Sequence, residues 1–218
     1  MRFPLRQIIV GFLINFAAQA ALAIGENNGA TTTQYPADVV PEGMQRYVIP
    51  MQGCAIEFFA RKGGHARAYA GSSGAYGSFS HGNMPGSRGQ KSLTLNISCY
   101  KGAAVDTCPK LLPVEDAENI RYYNIRRLEK LHSTYFGVAQ ISSFPLRGSR
   151  PGQVRELDFC LGDSSHTLQT SRGGIELGYD HRDISETAGR SLPRSSEIAL
   201  PEVLEIIRSI RFVSTGGE

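Results

Sequence analysis

The stretch from Ser92 to Tyr100, with the sequence SLTLNISCY, decides the fold of this chain. Leu93, Leu95, Ile97 and Cys99 alternate along it with polar residues. A period of two residues is typical of a β-strand that buries one face and exposes the other. The segment therefore predicts a half-buried strand, around which the other elements can be assigned.

Further strands are predicted on both sides of this one. Short apolar or alternating segments recur there, and Pro- and Gly-containing turns separate them. The predicted strands are Tyr47–Ile49 and Cys54–Ala60 upstream, and Ser133–Phe144, Val154–Leu161, Ser165–Thr170 and Ile175–Tyr179 downstream.

Two helices are predicted between and after these strands. In Glu115–His132, apolar residues recur at helical spacing and acidic residues precede basic ones, which suits the helix dipole. The second helix begins at Pro201, a favoured first-turn residue, and its apolar stripe runs from Val203 to Ile210. Strands followed by a helix, twice over, predict an α+β fold. We expect one disulfide-bonded domain, residues 44–218, in which an antiparallel sheet is packed by two helices as an α/β sandwich.

A Gly-rich segment, Arg61–Gln90, interrupts the predicted strands. It contains eight glycines in thirty residues, which predicts a long loop. Tyr and Ser among glycines are typical of adaptable binding loops, although a disordered excursion has the same composition. The candidate partner-binding residues in this loop are Tyr69, Tyr76, Phe79, His81 and Arg88.

Four cysteines, an even number, favour two disulfides if the chain is exported. Three pairings can be drawn. Because Cys99 and Cys108 flank a short Gly-containing stretch, a local bond between them is expected, which leaves Cys54 to pair with Cys160. The cysteine spacings contain no C-x-x-C, which argues against a metal site.

The N-terminus predicts export. Arg2 and Arg6 precede the apolar run Ile8–Ala23, which ends in small residues as a signal peptide does. We expect residues 1–23 to be removed by cleavage near Ala23, and residues 24–43 to form a flexible arm. The run is too short and too polar for a permanent membrane anchor. The expected location is the periplasm, with no stable anchor after cleavage.

Composition excludes several classes of function. Lys and Arg number 23 against 20 Asp and Glu, and a formal net charge of +3 is too small for a dedicated nucleic-acid binder. No phosphate-binding glycine motif precedes a helix, and the five histidines show no zinc-binding spacing. We therefore expect no cofactor and no metal.

One triplet, Gly162-Asp163-Ser164, raises an enzymatic alternative. It follows an apolar strand, as a nucleophilic Ser does in some hydrolases, and His166 or His181 would have to act as its base. The same triplet is a preferred turn composition, which the sequence favours.

The C-terminal quarter carries a family resemblance. A strand ending in FCLGD (Phe159–Asp163), a second strand, a polar excursion and LPEVLEIIRSIRF (Leu200–Phe212) resemble the terminal section of PsbP-like α/β/α sandwich modules. Exported bacterial proteins with that ending include immunity proteins for type VI secretion phospholipase effectors. The resemblance implies a protein partner, such as a toxic effector, and carries no catalytic residues. Such proteins are often lipid-anchored, whereas this chain has no Cys at residues 20–25.

These observations lead to one preferred function and two alternatives. The preferred one is a non-enzymatic periplasmic protein-binding module, in its specific form an immunity protein that neutralises a secreted effector. The alternatives are an exported serine hydrolase that uses Ser164 and an assembly factor of the cell envelope.

Overall fold

The structure is a computed structural model, and it describes residues 39–70, 75–82, 92–111, 123–146, 151–171 and 173–214. All of these belong to one compact unit, Thr32–Glu218. The predicted signal peptide and most of the predicted arm lie outside the described residues. The strands are β1 (Met44–Met51), β2 (Cys54–Arg61), β3 (His65–Tyr69), β4 (Tyr76–Gly82), β5 (Ser92–Lys101), β6 (Tyr123–Glu129), β7 (Phe136–Pro145), β8 (Gln153–Gly162), β9 (His166–Thr170), β10 (Ile175–Asp180) and β11 (Arg211–Val213).

Helices are short in the described part of the chain. They are α1 (Ala104–Leu111), α2 (Ile184–Thr187), a 3₁₀ helix (Arg194–Glu197) and α3 (Leu200–Ser209). Strands dominate, and the sheet pairings within the described ranges are antiparallel. The predicted α+β class with an antiparallel sheet is confirmed. Among the residues that the structure describes, we find no helix with the length and apolar character of a membrane span.

The strands form two sheets. The larger has the order β3-β4-β5-β9-β8-β7-β6, with β10 also paired to β8, and the smaller has the order β1-β2-β11. The alternation predicted for β5 is confirmed, because Leu93, Leu95 and Ile97 are buried while Ser92 and Thr94 are exposed.

The core lies between the larger sheet and a layer made of the smaller sheet and α3. Ile206 and Ile207 of α3 meet Leu93 and Leu95 of β5, and α3 also packs on β2. The predicted C-terminal helix is therefore confirmed, with Pro201 in its first turn. Apolar burial of this kind is the main force that holds the layers together.

The other predicted helix, Glu115–His132, is wrong wherever the structure describes it. Tyr123–Glu129 is strand β6, which pairs antiparallel with β7, and residues 115–122 lie outside the described residues. Asn124 has φ of +51°, which no α-helix accommodates, and the register shifts beside it. Leu128 and Leu131 do face the core. They are three residues apart, a spacing that is also typical of the apolar face of a helix, and this explains the incorrect prediction.

The Gly-rich segment is also more ordered than a loop. β3 and β4 form a hairpin inside it, while residues 71–74 and 83–90 lie outside the described residues. Two of its glycines permit close packing. A Cβ on Gly77 would lie 2.6 Å from Ile49 Cγ2, and one on Gly64 would lie 2.4 Å from Phe79 Cε2. These glycines bring the hairpin against β1 and the core.

Two disulfides are present, but their pairing differs from the prediction. Cys54 is bonded to Cys99 and Cys108 to Cys160. The chain between Cys99 and Cys108 does not fold back on itself, because β5 continues to Lys101 and α1 then carries Cys108 onto β8. The first bond joins the two sheets, and the second joins α1 to the larger sheet.

Candidate functional site

The end of the β3–β4 hairpin at which the two strands are connected carries two of the predicted partner-binding residues. Tyr69 and Tyr76 are directly paired across the hairpin. Their rings stack with centroids 4.9 Å apart and planes inclined by 13°. Tyr69 is 40% exposed and Tyr76 is partly buried. The structure therefore brings these two tyrosines together as one aromatic surface.

The other three predicted partner-binding residues do not join this surface. Phe79 is fully buried between Tyr47 and Phe58, so its assignment as a contact residue is corrected to a core residue. His81 lies five residues along β4 from Tyr76, roughly 17 Å away at strand spacing, and its Nε2 is 2.9 Å from the Lys62 carbonyl oxygen. Arg88 lies outside the described residues.

The Gly162-Asp163-Ser164 triplet forms the turn between β8 and β9. Asp163 Oδ1 accepts hydrogen bonds from the backbone N–H groups of Ser165 and His166 and from the Ser165 hydroxyl. Partial burial acts to raise the pKa of Asp163, but these bonds and the nearby His166 outweigh it and lower that pKa. This pattern is that of an Asx turn.

A serine relay is not assembled at this turn. Such a relay places Ser on one imidazole nitrogen and the carboxylate on the other. Here Ser165 Oγ is 3.0 Å from His166 Nδ1, and Asp163 approaches the same nitrogen at 3.7 Å. Ser164 is exposed, and the described residues offer its side chain no hydrogen-bond partner.

The second base considered for Ser164 is no better placed. His181 is exposed, and its neighbour Asp180 forms a fork with Arg182 through bonds of 3.1 and 2.8 Å instead of orienting the imidazole ring. Those bonds from Arg182 are the main cause that lowers the pKa of Asp180. The geometry of the described residues therefore favours the turn over the hydrolase.

A groove of ≈ 550 Å³ lies beside this turn. The Cys54 end of the first disulfide, Lys101, Asp163, His166 and Phe212 contribute to its walls. The His166 ring stacks on Phe212 with centroids 5.5 Å apart. Apolar and charged or polar side chains thus both line the groove.

A group of polar side chains that the sequence reasoning missed lies on the outer face of the larger sheet. Glu156 is paired with Ser142 of β7 and Glu176 of β10, and Asp158 is paired with Gln140. Paired residues of antiparallel strands project from the same face. We call these five residues the outer-face cluster.

The cluster lies on the side of β8 turned away from the core. Leu157 and Phe159, which alternate with Glu156 and Asp158, belong to the core. The alternation of acidic and apolar residues in this stretch was the signal that could have indicated the cluster. The register that adds Glu176 could not be read from the sequence.

Two carboxyl groups of the cluster have a raised pKa. Burial, then the charges of Asp158 and Glu176, raise the pKa of Glu156 to about 7. Burial also raises the pKa of Asp158, and a hydrogen bond from Thr170 Oγ1 at 2.9 Å partly opposes this. Tyr179 donates to Glu176 Oε2 at 2.6 Å, and burial together with that bond raises the Tyr179 pKa to about 12. Like charges thus face one another at this site.

Within the described ranges, no group of three or more His, Cys, Asp or Glu side chains is arranged to hold a metal ion. No protein-family model matches the chain, and neither a curated protein nor a solved structure matches it.

Proposed function

We propose that this chain is an exported, non-enzymatic protein-binding module of the periplasm that contacts its partner through the Tyr69–Tyr76 end of the β3–β4 hairpin. The stack of Tyr69 on Tyr76 is the observation that carries the proposal. Tyrosine supplies a large contact area at low entropic cost, and aromatic side chains are frequent among the residues that dominate binding energy.

The hairpin is held firmly at its base, which supports a role in recognition. Phe79 packs edge-on against Tyr47 and Phe58, with ring centroids 4.9 and 5.2 Å away. The Tyr47 hydroxyl donates to the Arg61 carbonyl and accepts from the Gly64 N–H, so it ties down the connection into β3. A contact surface that is already ordered loses less entropy on binding.

The two disulfides support the exported part of the proposal. Cys54–Cys99 and Cys108–Cys160 use all four cysteines, and such bonds persist in oxidising compartments. Cleavage near Ala23 and residence in the periplasm follow from the signal-like N-terminus. The specific role as an immunity protein follows from the resemblance of the C-terminal quarter to PsbP-like modules.

Affinity capture from envelope extract tests the hairpin contact. The bait is the chain without residues 1–23, compared with the double variant Tyr69→Ser/Tyr76→Ser. The matched control is Tyr100→Ser, because Tyr100 is a 47% exposed tyrosine near the end of β5. We expect a protein that the parent and the control retain and the double variant loses, while thermal unfolding is nearly unchanged. Equal retention by all three baits would refute the hairpin contact.

The immunity role has a separate test. A phospholipase toxin encoded beside this chain should lose its toxicity when both proteins are produced in the periplasm. Protection should fail with Tyr69→Ser/Tyr76→Ser and persist with Tyr100→Ser. Protection by neither the parent nor the control would exclude the immunity role without excluding another partner.

A further inference from the structure

The outer-face cluster contains buried polar atoms without a partner. Gln140 and Ser142 are both 0% exposed, and neither the Gln140 amide atoms Nε2 and Oε1 nor Ser142 Oγ form a hydrogen bond. A buried polar group left in this state costs about 1 to 3 kcal/mol. Unsatisfied groups on the same face as two carboxyl groups indicate a place built for a ligand.

The charges of the cluster indicate the sign of that ligand. Glu156 and Asp158 form no ion pair with a described Lys, Arg or His side chain. Both remain partly exposed, so a ligand can reach them. The charged groups that face Glu156 are acidic ones, Asp158 on its own strand and Glu176 on β10. Buried charges are normally paired, and a cation would relieve both the repulsion and the missing partners.

Hydrogen-bonding capacity narrows the choice of cation. Glu156 accepts a bond from the Gly174 N–H and Asp158 one from Thr170, so each carboxylate retains open acceptor positions. The Gln140 amide oxygen adds a neutral acceptor. A guanidinium group carries five N–H donors in a planar fork that matches carboxylates, whereas the described residues do not arrange the ligands of a metal ion.

We propose that the outer-face cluster binds a guanidinium group, with Glu156 and Asp158 as its carboxylate partners and Gln140 and Ser142 as additional hydrogen-bonding groups. Residues two apart on a strand have Cα atoms about 6.6 Å apart, so one planar cation can lie between the two carboxylates. The group is either that of a free small molecule or that of an arginine side chain in a peptide. This site is distinct from the hairpin and does not depend on the proposed function.

The site is tested by titrating the chain without residues 1–23 with L-arginine amide, followed by backbone NMR shifts. The neutral isostere citrulline amide serves as the ligand control. We expect saturable shifts at Glu156, Asp158 and Gly174 with arginine amide and none with citrulline amide. A capped Gly-Arg-Gly peptide distinguishes the two sources, since tighter binding of the peptide indicates a side chain and tighter binding of arginine amide indicates a free ligand.

Variants separate a binding role from a structural one. Glu156→Gln and Asp158→Asn should each weaken the affinity at least about tenfold, as expected for loss of a hydrogen bond to a charged group. Glu205→Gln, which changes an exposed carboxylate of α3, should leave it unchanged. Gln140→Leu should lower the affinity while the fold becomes no less stable, because it removes buried unpaired atoms.

The pH dependence of the affinity provides an additional test. Since deprotonation of Glu156 near pH 7 completes its negative charge, the affinity should be higher at pH 8 than at pH 6, and Glu156→Gln should lose most of that change. Asp158, Glu176 and Tyr179 also face this region, as does Arg127 of β6, which is paired with Gln140, and all four are unchanged in that variant. The absence of saturable shifts, or equal binding by Glu156→Gln and the parent, would overturn the proposal.

Discussion

Cys108 of α1 is bonded to Cys160 of β8, with their Cα atoms 5.3 Å apart. Both residues are fully buried, and together with Ala104 they form a small apolar cluster separate from the main core. The bond closes a span of 52 residues that contains β6 and β7. A covalent link across so much of the chain replaces packing that α1, only eight residues long, cannot provide alone.

Removal of this bond should destabilise the fold considerably. In the chain-entropy description, closing a loop of this length stabilises the folded state by about 4 kcal/mol. We expect Cys108→Ala/Cys160→Ala to lose stability of that order in urea unfolding, and Cys54→Ala/Cys99→Ala to lose a similar amount, since its span of 45 residues is nearly as long. Peptide mapping of the non-reduced protein should recover these two pairs. A Cys99–Cys108 peptide would contradict the structure.

Glu197 of the 3₁₀ helix and Arg155 of β8 form an ion pair in which the Arg155 side chain is buried. Arg155 Nη2 donates to Glu197 Oε1 at 2.8 Å, and Nη1 donates to the Asn124 carbonyl and to Ser143 Oγ. Burial lowers the pKa of Arg155, and Glu197 opposes this effect. The pair connects the 3₁₀ helix to the end of the larger sheet.

Glu197→Ala should cost about 3 to 5 kcal/mol, because it leaves a guanidinium buried without its anion. The control is Glu202→Ala, which breaks the 3.3 Å pair with Arg61, whose side chain is half exposed. That pair should contribute about 1 kcal/mol or less. If urea unfolding shows that the two variants lose the same free energy of unfolding, Glu197 does not stabilise the buried guanidinium group of Arg155.

The sequence predicts a strand or helix correctly where its apolar residues follow a single clear periodicity. In β5, alternation alone identifies the buried side, and in α3 an apolar stripe behind Pro201 identifies a helix. Prediction fails in β6, where a charge gradient and the spacing of Leu128 and Leu131 imitate a helix. What makes this segment a strand is its pairing with β7, a tertiary contact that local periodicity does not contain.

In the candidate sites, too, the sequence predicts what local composition contains and misses what tertiary contacts determine. The stacked tyrosines come from residues that composition alone had indicated, because aromatic residues in a Gly-rich segment are conspicuous. Gly64 and Gly77 are among the glycines whose number predicts a loop, although their role depends on Phe79 and Ile49, which the sequence does not place beside them. Likewise, Glu156 acquires its pKa only through pairing with Glu176 from another strand.

Phe79 and Tyr69, both assigned to partner contact by sequence, should behave oppositely when truncated. Phe79→Ala removes a fully buried ring and should cost about 3 to 5 kcal/mol. Tyr69→Ala removes a 40% exposed ring and should cost about 1 kcal/mol or less. Thermal or urea unfolding of the two variants measures the difference. A larger loss for Tyr69→Ala would place that side chain in the core and remove the basis of the hairpin contact.

Glu156 should make the stability of the fold decrease as pH rises through the window from 4.5 to about 7. Burial and the neighbouring Asp158 and Glu176 raise its pKa from the ordinary value of 4.5 to about 7. In this window the folded chain keeps a proton that the unfolded chain has lost, so the free energy of unfolding falls, by at most about 1.4 kcal/mol per pH unit for one proton. Glu156→Gln should remove this decrease and should be more stable than the parent at pH 8.

The stability of Glu156→Gln has to be compared with that of the parent at each pH, because other groups titrate in the same pH range. Burial lowers the pKa of His132 from 6.5, so its contribution to stability rises with pH and opposes that of Glu156. His132 is unchanged in Glu156→Gln, so the difference between the two urea unfolding curves, measured from pH 4.5 to 8, isolates the carboxyl group. Glu205→Gln should run parallel to the parent throughout. If Glu156→Gln also runs parallel, Glu156 ionises as an ordinary exposed carboxyl group and the repulsion within the outer-face cluster is absent.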